Sequence, residues 1–408
     1  MEDNPKSGFE ELAKESRLYP QEALLEVKKS KRSLFVGMPK EVRMQEKRIP
    51  LTPNSVRLIV ERGHEVWVEA GAGSPSKFTD QEYSDAGAKI VSSHKELFEA
   101  EIILKVEPPT SEEIDLLKPG KTLFSTLQLG NLNKNYFEKL NSNRITSIAF
   151  ELIEDKVGGM PVVRAMSEIA GSTVMLIAAE YLSNVHNGKG IILGGITGVS
   201  PTKVVILGAG TVGEFAARTA LGLGADIEIY DDHLYKLRRI KHALGQQVST
   251  CTFEPSTLNA SIKQADVVIG ALRVEKGRIR YLVSEETVAQ MKQGSVIVDV
   301  SIDQGGCFET SQITTHQHPV FTKYGVIHYC VPNIASRVAR TASTALSNIF
   351  TPILLEISES GGLEEMIFSH KGFMKGVYTY KGTLSNATIG QKVSLHYRDL
   401  DLLIAARF

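Results

Sequence analysis

Three glycines in the segment KVVILGAGTVGEFAARTALGLGADIEIYDD, Gly208, Gly210 and Gly213, stand in the spacing G-x-G-x-x-G. An apolar run at 204–207 precedes them, an alanine-rich helical segment follows, and a second strand at 227–230 ends on Asp231, 23 positions after Gly208. The chemistry this allows is dinucleotide binding. Gly208 permits a tight turn, Gly210 lets a pyrophosphate approach the backbone at a helix N-terminus, and Gly213 lets the helix pack closely on the strand. Asp231 can accept hydrogen bonds from the adenosine ribose hydroxyls and would repel a 2′-phosphate, which favours NAD over NADP. The other reading of the same residues is a glycine turn in a βαβ unit that holds no ligand.

A second candidate is GSVIVDVSIDQGGCFE, in which a strand runs into Asp303, Gln304, Gly305 and Gly306. Such a strand delivers polar groups to the carboxyl edge of a sheet, where α/β proteins bind ligands. It is equally a strand followed by a glycine turn that Asp303 caps. The segment GALRVEKGRIRYLV carries Arg273, Lys276, Arg278 and Arg280, either a reader of an anionic substrate or a solvated loop. Cys251, Cys307 and Cys330 lie far apart with no Cys-x-x-Cys pair, so neither a zinc ribbon nor a disulfide framework is indicated and no metal is expected.

These residues need elements to position them. Short β-rich runs (SLFVGM, HEVWVEA, KIV, AEIILKV, KTLFSTL, ITSIAFE) alternate with helix-length segments, many ending in glycine. That alternation predicts an α/β protein with mainly parallel sheets covered on both faces. Apolar residues recur at helical spacing through PVVRAMSEIAGSTVMLIAAEYL, from Met166 to Tyr181, which predicts a long helix bridging two α/β units. A second unit follows, and the helical run ASTALSNIFTPILLEIS opens a tail placed to return to the first lobe. The charged N-terminal stretch with Pro5 and Pro20 reads as an appended arm.

The chain has 408 residues and a formal net charge of −1, which argues against nucleic acid or an anionic membrane bound by bulk electrostatics. No stretch approaches the roughly 20 apolar residues of a bilayer span, and the N-terminus has no apolar signal core, so a cytoplasmic protein is expected.

The stretches GMPKEVRMQEKRIPLTP, ERGHEVWVEAGAG, ILKVEPP, PVVRAMSEIAG, GKGIILGGITGV, VVILGAGTVG, MKQGSVIVDVSIDQGG and HYCVPNIASRVARTASTALSN resemble, in the same order, the alanine dehydrogenase family. That family is related to the NAD-binding component of nicotinamide nucleotide transhydrogenase. The resemblance implies two Rossmann-like domains with the cofactor domain inserted in the substrate domain. The expected division is an arm at 1–33, a discontinuous substrate domain at 34–163 and 340–408, and an NAD-binding domain at 164–339. It implies an NAD(H)-dependent oxidoreductase, homo-oligomeric, interconverting L-alanine and pyruvate plus ammonia or a related amino acid and 2-oxo acid. By resemblance Ser167, Asp231, Leu272, Val300, Asp303, Val331 and Asn333 fall at positions that contact NAD.

Carried over residue by residue, Arg48 in EKRIPLTP matches the family's arginine for the substrate carboxylate, a task its planar fork suits. On the residues alone it reads as an ion pair with Glu46 or Glu41. The family's catalytic lysine is the second of K-V-K-E-P, where this chain has Glu107; its histidine lies in L-F-x-x-L-H-L-A, where this chain has Gln128. Oxidative deamination requires a general base with a pKa near the operating pH, and glutamine does not titrate. Glu107 supplies that base if desolvation raises its pKa, or instead pairs with Arg48. Strand alternation places Lys105 on the same face, as a partial source of the missing ammonium. Asp303 is the remaining candidate carboxylate, so Arg48, Glu107 and Asp303 are the expected catalytic residues. The segment VPNIASRVA is closer to the transhydrogenase pattern, so a transhydrogenase-like NAD(H)-binding component stands as an alternative; a catalytically silent NAD-binding paralogue is a third.

Overall fold

A computed structural model describes residues 31–405 apart from 44, 129–131 and 273–280. Most of the arm and the basic segment with Arg273, Lys276, Arg278 and Arg280 therefore lie outside the described residues. Within them the chain forms two mostly parallel sheets. The first comprises β1 (Phe35–Met38), β2 (Glu65–Glu69), β3 (Lys89–Val91), β4 (Ile102–Leu104), β5 (Thr122–Ser125) and β6 (Thr146–Ala149), joined by β14 (Val377–Tyr380) and β15 (Thr383–Leu384) from the tail. Its order is β15-β14-β6-β5-β4-β1-β2-β3. The second comprises β7 (Lys203–Leu207), β8 (Asp226–Tyr230), β9 (Ser249–Cys251), β10 (Val267–Gly270), β11 (Val296–Asp299), β12 (Val320–Lys323) and β13 (Val326–Tyr329), in the order β12-β13-β11-β10-β7-β8-β9.

Both sheets are covered on two faces, which is why their central strands are apolar without alternation. Ile102 and Leu104 of β4 face one apolar cluster and Ile103 faces another. Val204 and Ile206 of β7 are divided in the same way from Val205 and Leu207. Among the described strands the antiparallel pairings are β12 with β13 at one end of the second sheet, and β15 with β14 and β14 with β6 at one end of the first.

The bridging helix runs Pro161–Leu182, started by a proline at its first position. By length and composition alone it is apolar enough to cross a bilayer, contrary to the expectation that no stretch approaches that threshold. Its apolar residues have another use: Val174, Met175, Ile177, Ala178 and Leu182 are fully buried in the core of the second lobe. The returning helix Ala339–Glu359 sends Leu346, Phe350, Leu354 and Ile357 into the core of the first lobe.

Sheet order decides where ligands bind. In an open parallel sheet the loops diverge where strand order reverses, leaving a crevice at the carboxyl ends of the strands. In the second sheet that point lies between β7 and β10, and in the first between β1 and β4.

Candidate active site

At the switch point of the second sheet the glycine loop leaves β7 and enters the helix Thr211–Gly222. Gly208 has φ +116°, and a Cβ there would stand 2.5 Å from the carbonyl oxygen of Ala271, just beyond β10. A Cβ on Gly213 would lie 1.9 Å from the carbonyl oxygen of Gly208, so helix and loop touch backbone to backbone. Gly210, by contrast, faces open space and begins the helix with no side chain capping its amides. Unmet N–H groups beside room for a bulky anion are what a pyrophosphate requires.

Asp231 follows β8 and is buried. Its carboxylate accepts from the amides of Ala209 and His233, both at 2.9 Å, and has Lys236 Nζ at 3.8 Å. Burial works to raise its pKa, but those two amides, with the His233 ring and Lys236, prevail and hold it below the ordinary aspartate value. It is therefore an anion tied to the glycine loop. Leu272, Val300 and Val331 lie just past the carboxyl ends of β10, β11 and β13, and Asn333 begins the 3-10 turn Ile334–Val338. They occupy the same sheet edge. Asp303 is exposed in the turn Ile302–Gln304, whereas buried Asp299, which the sequence reading passed over, organises that turn. Asp299 accepts from the amides of Ser301 and Cys307 and from Ser311 Oγ.

At the switch point of the first sheet Arg48 stands among carboxylates. Glu46 takes it bidentately, with Nε 2.8 Å from one oxygen and Nη2 2.6 Å from the other. Burial opposes ionisation of Glu46, but the guanidinium prevails and holds its pKa near 2. Arg48 Nη2 is 3.9 Å from Glu107 Oε1, and Nη1 meets only the thioether of Met166 at 3.3 Å among its described hydrogen bonds. Since sulfur is a weak acceptor, the Nη1 edge keeps donor capacity. Met166 neighbours Ser167 on the bridging helix, so Arg48 lies where that helix carries the first-lobe site toward the cofactor lobe.

Glu107 is wholly buried, with Oε2 accepting from Gln128 Nε2 at 2.6 Å. Burial, reinforced by the charge of Glu46, pushes its pKa from 4.5 to about 8, against the pull of Arg48. The positions read as replaced Lys and His are thus hydrogen-bonded to each other. Lys105 behaves differently from the expectation. Strand β4 ends at Leu104, so strict alternation does not reach it, and its ammonium is committed to both oxygens of Glu113 at 2.8 Å. Glu41 lies 3.7 Å from that ammonium and accepts from the amide of Val106.

Several contributors escaped the sequence reading because their signals are single serines, glutamates or histidines. Ser336, Ser343 and Ser347 accept hydrogen bonds from the amides of Lys47, Ile49 and Thr52 at 2.8–2.9 Å, clamping the Arg48 segment from the tail of the chain. The four-residue interval between Ser343 and Ser347, one helical turn, is the only local hint. Glu151 accepts from the amide of Leu127 at 2.7 Å and so fixes the turn that presents Gln128, whose φ is +40°. His316 bonds the Asn333 carbonyl through Nε2 at 3.2 Å, while the next residue, Gln317, reaches Gln45 of the first lobe. Burial lowers the His316 pKa, placing a neutral imidazole at the junction of the lobes.

Comparison with known proteins agrees with this arrangement. An alanine dehydrogenase 2 of Staphylococcus aureus (strain USA300) is 38% identical over 367 residues, spanning 90% of this chain and 98% of the relative. The solved structure of an L-alanine dehydrogenase matches with a TM-score of 0.82 and 37% identity, covering 87% of this chain and 98% of that one. A transhydrogenase from Sinorhizobium meliloti shares the fold, with a TM-score of 0.73, 24% identity and coverage of 86% and 99%. Residues 37–170 match the alanine dehydrogenase/PNT N-terminal domain and residues 174–387 its C-terminal domain. The chain thus belongs to the alanine dehydrogenase/PNT family, as an NAD(H)-binding oxidoreductase of two Rossmann-like lobes.

Proposed function

We propose that the protein is a cytoplasmic, homo-oligomeric NAD-dependent amino-acid dehydrogenase of the alanine type, acting on L-alanine and pyruvate or a related amino acid and 2-oxo acid. The observation that carries this reading is the buried Glu107 carboxyl beside Arg48, with its pKa raised to about 8. In this assignment residues 34–163 and 340–408 form the substrate domain and 164–339 the cofactor domain. The glycine loop, Asp231, Ser167, Leu272, Val300, Asp303, Val331 and Asn333 hold NAD, which when bound gives or takes the hydride.

The chain's own residues do the rest. Arg48 offers its Nη1 edge to the substrate carboxylate, with the guanidinium oriented by Glu46. An amine must lose a proton before its α-carbon can release hydride, and Glu107 is the carboxyl whose proton affinity suits that transfer near neutral pH. Gln128 cannot titrate; its amide holds Glu107 in place. Asp303, at the carboxyl edge of the second sheet, is assigned to the same cleft.

The test is NADH oxidation by the purified protein with ammonium and a panel of 2-oxo acids. Turnover with one of them is expected, and NADH binding with no oxidation by any would sink the dehydrogenase reading in favour of a silent NAD-binding paralogue. Combining Glu107→Lys with Gln128→His is expected to raise turnover of alanine.

A further inference from the structure

At the first switch point four carboxyl groups, each with its side chain no more than 5% exposed, stand around two cations. They divide into two sets. Lys105 is held by Glu113 at 2.8 Å and has Glu41 at 3.7 Å, while Arg48 is held by Glu46 and has Glu107 at 3.9 Å. With two carboxylates to one cation, each set would carry an excess negative charge away from water. A proton on one carboxyl of each set removes it.

Hydrogen bonding identifies that carboxyl in the Arg48 set. Glu46 is fully engaged as an anion: Oε1 accepts from the amides of Lys47 and Arg48 and from Arg48 Nε, and Oε2 accepts from Nη2. Glu107 differs, because Gln128 Nε2 meets Oε2 and no N–H or O–H donor reaches Oε1. A buried carboxyl oxygen without a donor is unfavourable as an acceptor but not as an O–H group, and Glu107 donates to Glu46. Proton affinities of about 8 for Glu107 and about 2 for Glu46 are those of one acid and one carboxylate acting as a pair.

Other charged groups nearby are committed elsewhere. Glu41, raised to about 7 by burial, accepts from the amides of Val106 and Glu107 on the Lys105 side. His94 lies beyond Glu113, Arg43 Nη1 is on the carbonyl of Pro108 at 3.4 Å, and Glu151 is turned to the amide of Leu127. From the second lobe, the neutral ring of His316 faces Glu46 and bonds the Asn333 carbonyl, and Lys47 is exposed.

We propose that Glu46 and Glu107 hold one proton between them against the guanidinium of Arg48, and that Glu46 is the positioning residue that keeps this proton on Glu107. Its role in turnover rests on the dehydrogenase reading; the pair itself does not. When Glu107 takes a proton from the substrate, an N–H bond breaks as an O–H bond forms and the pair passes from two carboxylates to one. Returning the proton reverses both changes, and Glu46 sets the pH at which they occur.

The experiment follows the C=O stretch of protonated carboxyls by infrared spectroscopy of the full-length protein between pH 5 and 10. Spectra of the wild type and of Glu46→Gln are each compared with the same protein also carrying Glu107→Gln, so that each difference isolates Glu107. In the wild type a protonated Glu107 is expected at pH 6.5 and its loss by pH 9.5. In Glu46→Gln the midpoint should fall by at least about one pH unit, a tenfold drop in proton affinity, because the neighbouring negative charge is gone and Arg48 can turn to Glu107. The acidic limb of the kcat/KM profile for amino-acid oxidation should move with it, and a limb that stays in place would overturn the role in turnover. NADH fluorescence confirms that the variants are folded, and the wild-type comparison stands without Glu46→Gln. A Glu107 already ionised at pH 6.5, or the same midpoint with and without Glu46, would overturn the proposal. Turnover of an amino acid with Glu107 ionised at pH 6.5 would refute the pair and leave the dehydrogenase reading standing; a midpoint that depends on Glu46 in a protein oxidising no amino acid would do the reverse.

Discussion

Replacing Glu107 by glutamine should flatten the pH dependence of stability between pH 5 and 9. The wild-type carboxyl has an ordinary pKa of 4.5 when the chain is unfolded and about 8 when it is buried. A group whose pKa is raised on folding stabilises fully below its unfolded pKa, and that contribution is lost as pH climbs through the folded value. Each unit is worth about 1.4 kcal/mol, so the shift sets a ceiling of about 5 kcal/mol. Relaxation around the ionised group reduces what is observed, and about 2 kcal/mol is a reasonable expectation. Glutamine keeps the shape and stays neutral throughout. The variant should therefore match the wild type near pH 5 and exceed it near pH 9, by a few degrees in Tm. Thermal unfolding of both proteins across that range, without nucleotide, measures the difference. Glu41, raised to about 7, contributes a second slope of the same sign that persists in the variant. Parallel pH profiles would refute the reasoning, because they would mean that Glu107 is not held neutral in the folded protein.

Asp231→Ala should weaken NADH binding about tenfold or more in a fluorescence titration, since it removes the ribose acceptor and frees the Ala209 amide; unchanged affinity would place the adenosine elsewhere. Arg48→Lys preserves a charge opposite Glu46 but loses the fork, so the KM for a 2-oxo acid should rise. An unaltered KM would show that the carboxylate binds at another group. Gly213→Ala puts a methyl group 1.9 Å from the Gly208 carbonyl oxygen and should lower both Tm and NADH affinity. Ser347→Ala removes the acceptor for the Thr52 amide and should destabilise by about 1–2 kcal/mol in chemical denaturation; no loss would mean that the clamp is idle.

The two switch points give the molecule a common plan. In each lobe the crevice opens between the loops that follow its first and fourth strands, and the bridging helix reaches the first of them through Met166, which meets Arg48. In the second lobe the crevice is defined by backbone, with glycines making room and helix amides exposed. In the first it is defined by charge, with four carboxylates set around two cations.

That difference explains what could be read from the sequence alone. The glycine loop and Asp231 were legible because their requirements are local: Gly208 needs a positive φ, Gly213 the absence of a Cβ, and Asp231 the end of the next strand. The bridging and returning helices were legible from periodicity, because a buried face must recur every 3.6 residues. Sequence also located Arg48, as the match to the family's arginine, and Glu107 and Gln128, as the positions where the chemistry departs from the family. It did not determine who bonds whom. Lys105 and Glu107 are two residues apart, yet one is spent on Glu113 and the other meets Gln128, because β4 ends before alternation can govern them. Glu46 takes Arg48, serines some 290 residues away fix its backbone, and Glu151 sets the turn that aims Gln128. The proton affinity of a buried carboxyl depends on distances among charges, and only the packing of separate segments sets those distances.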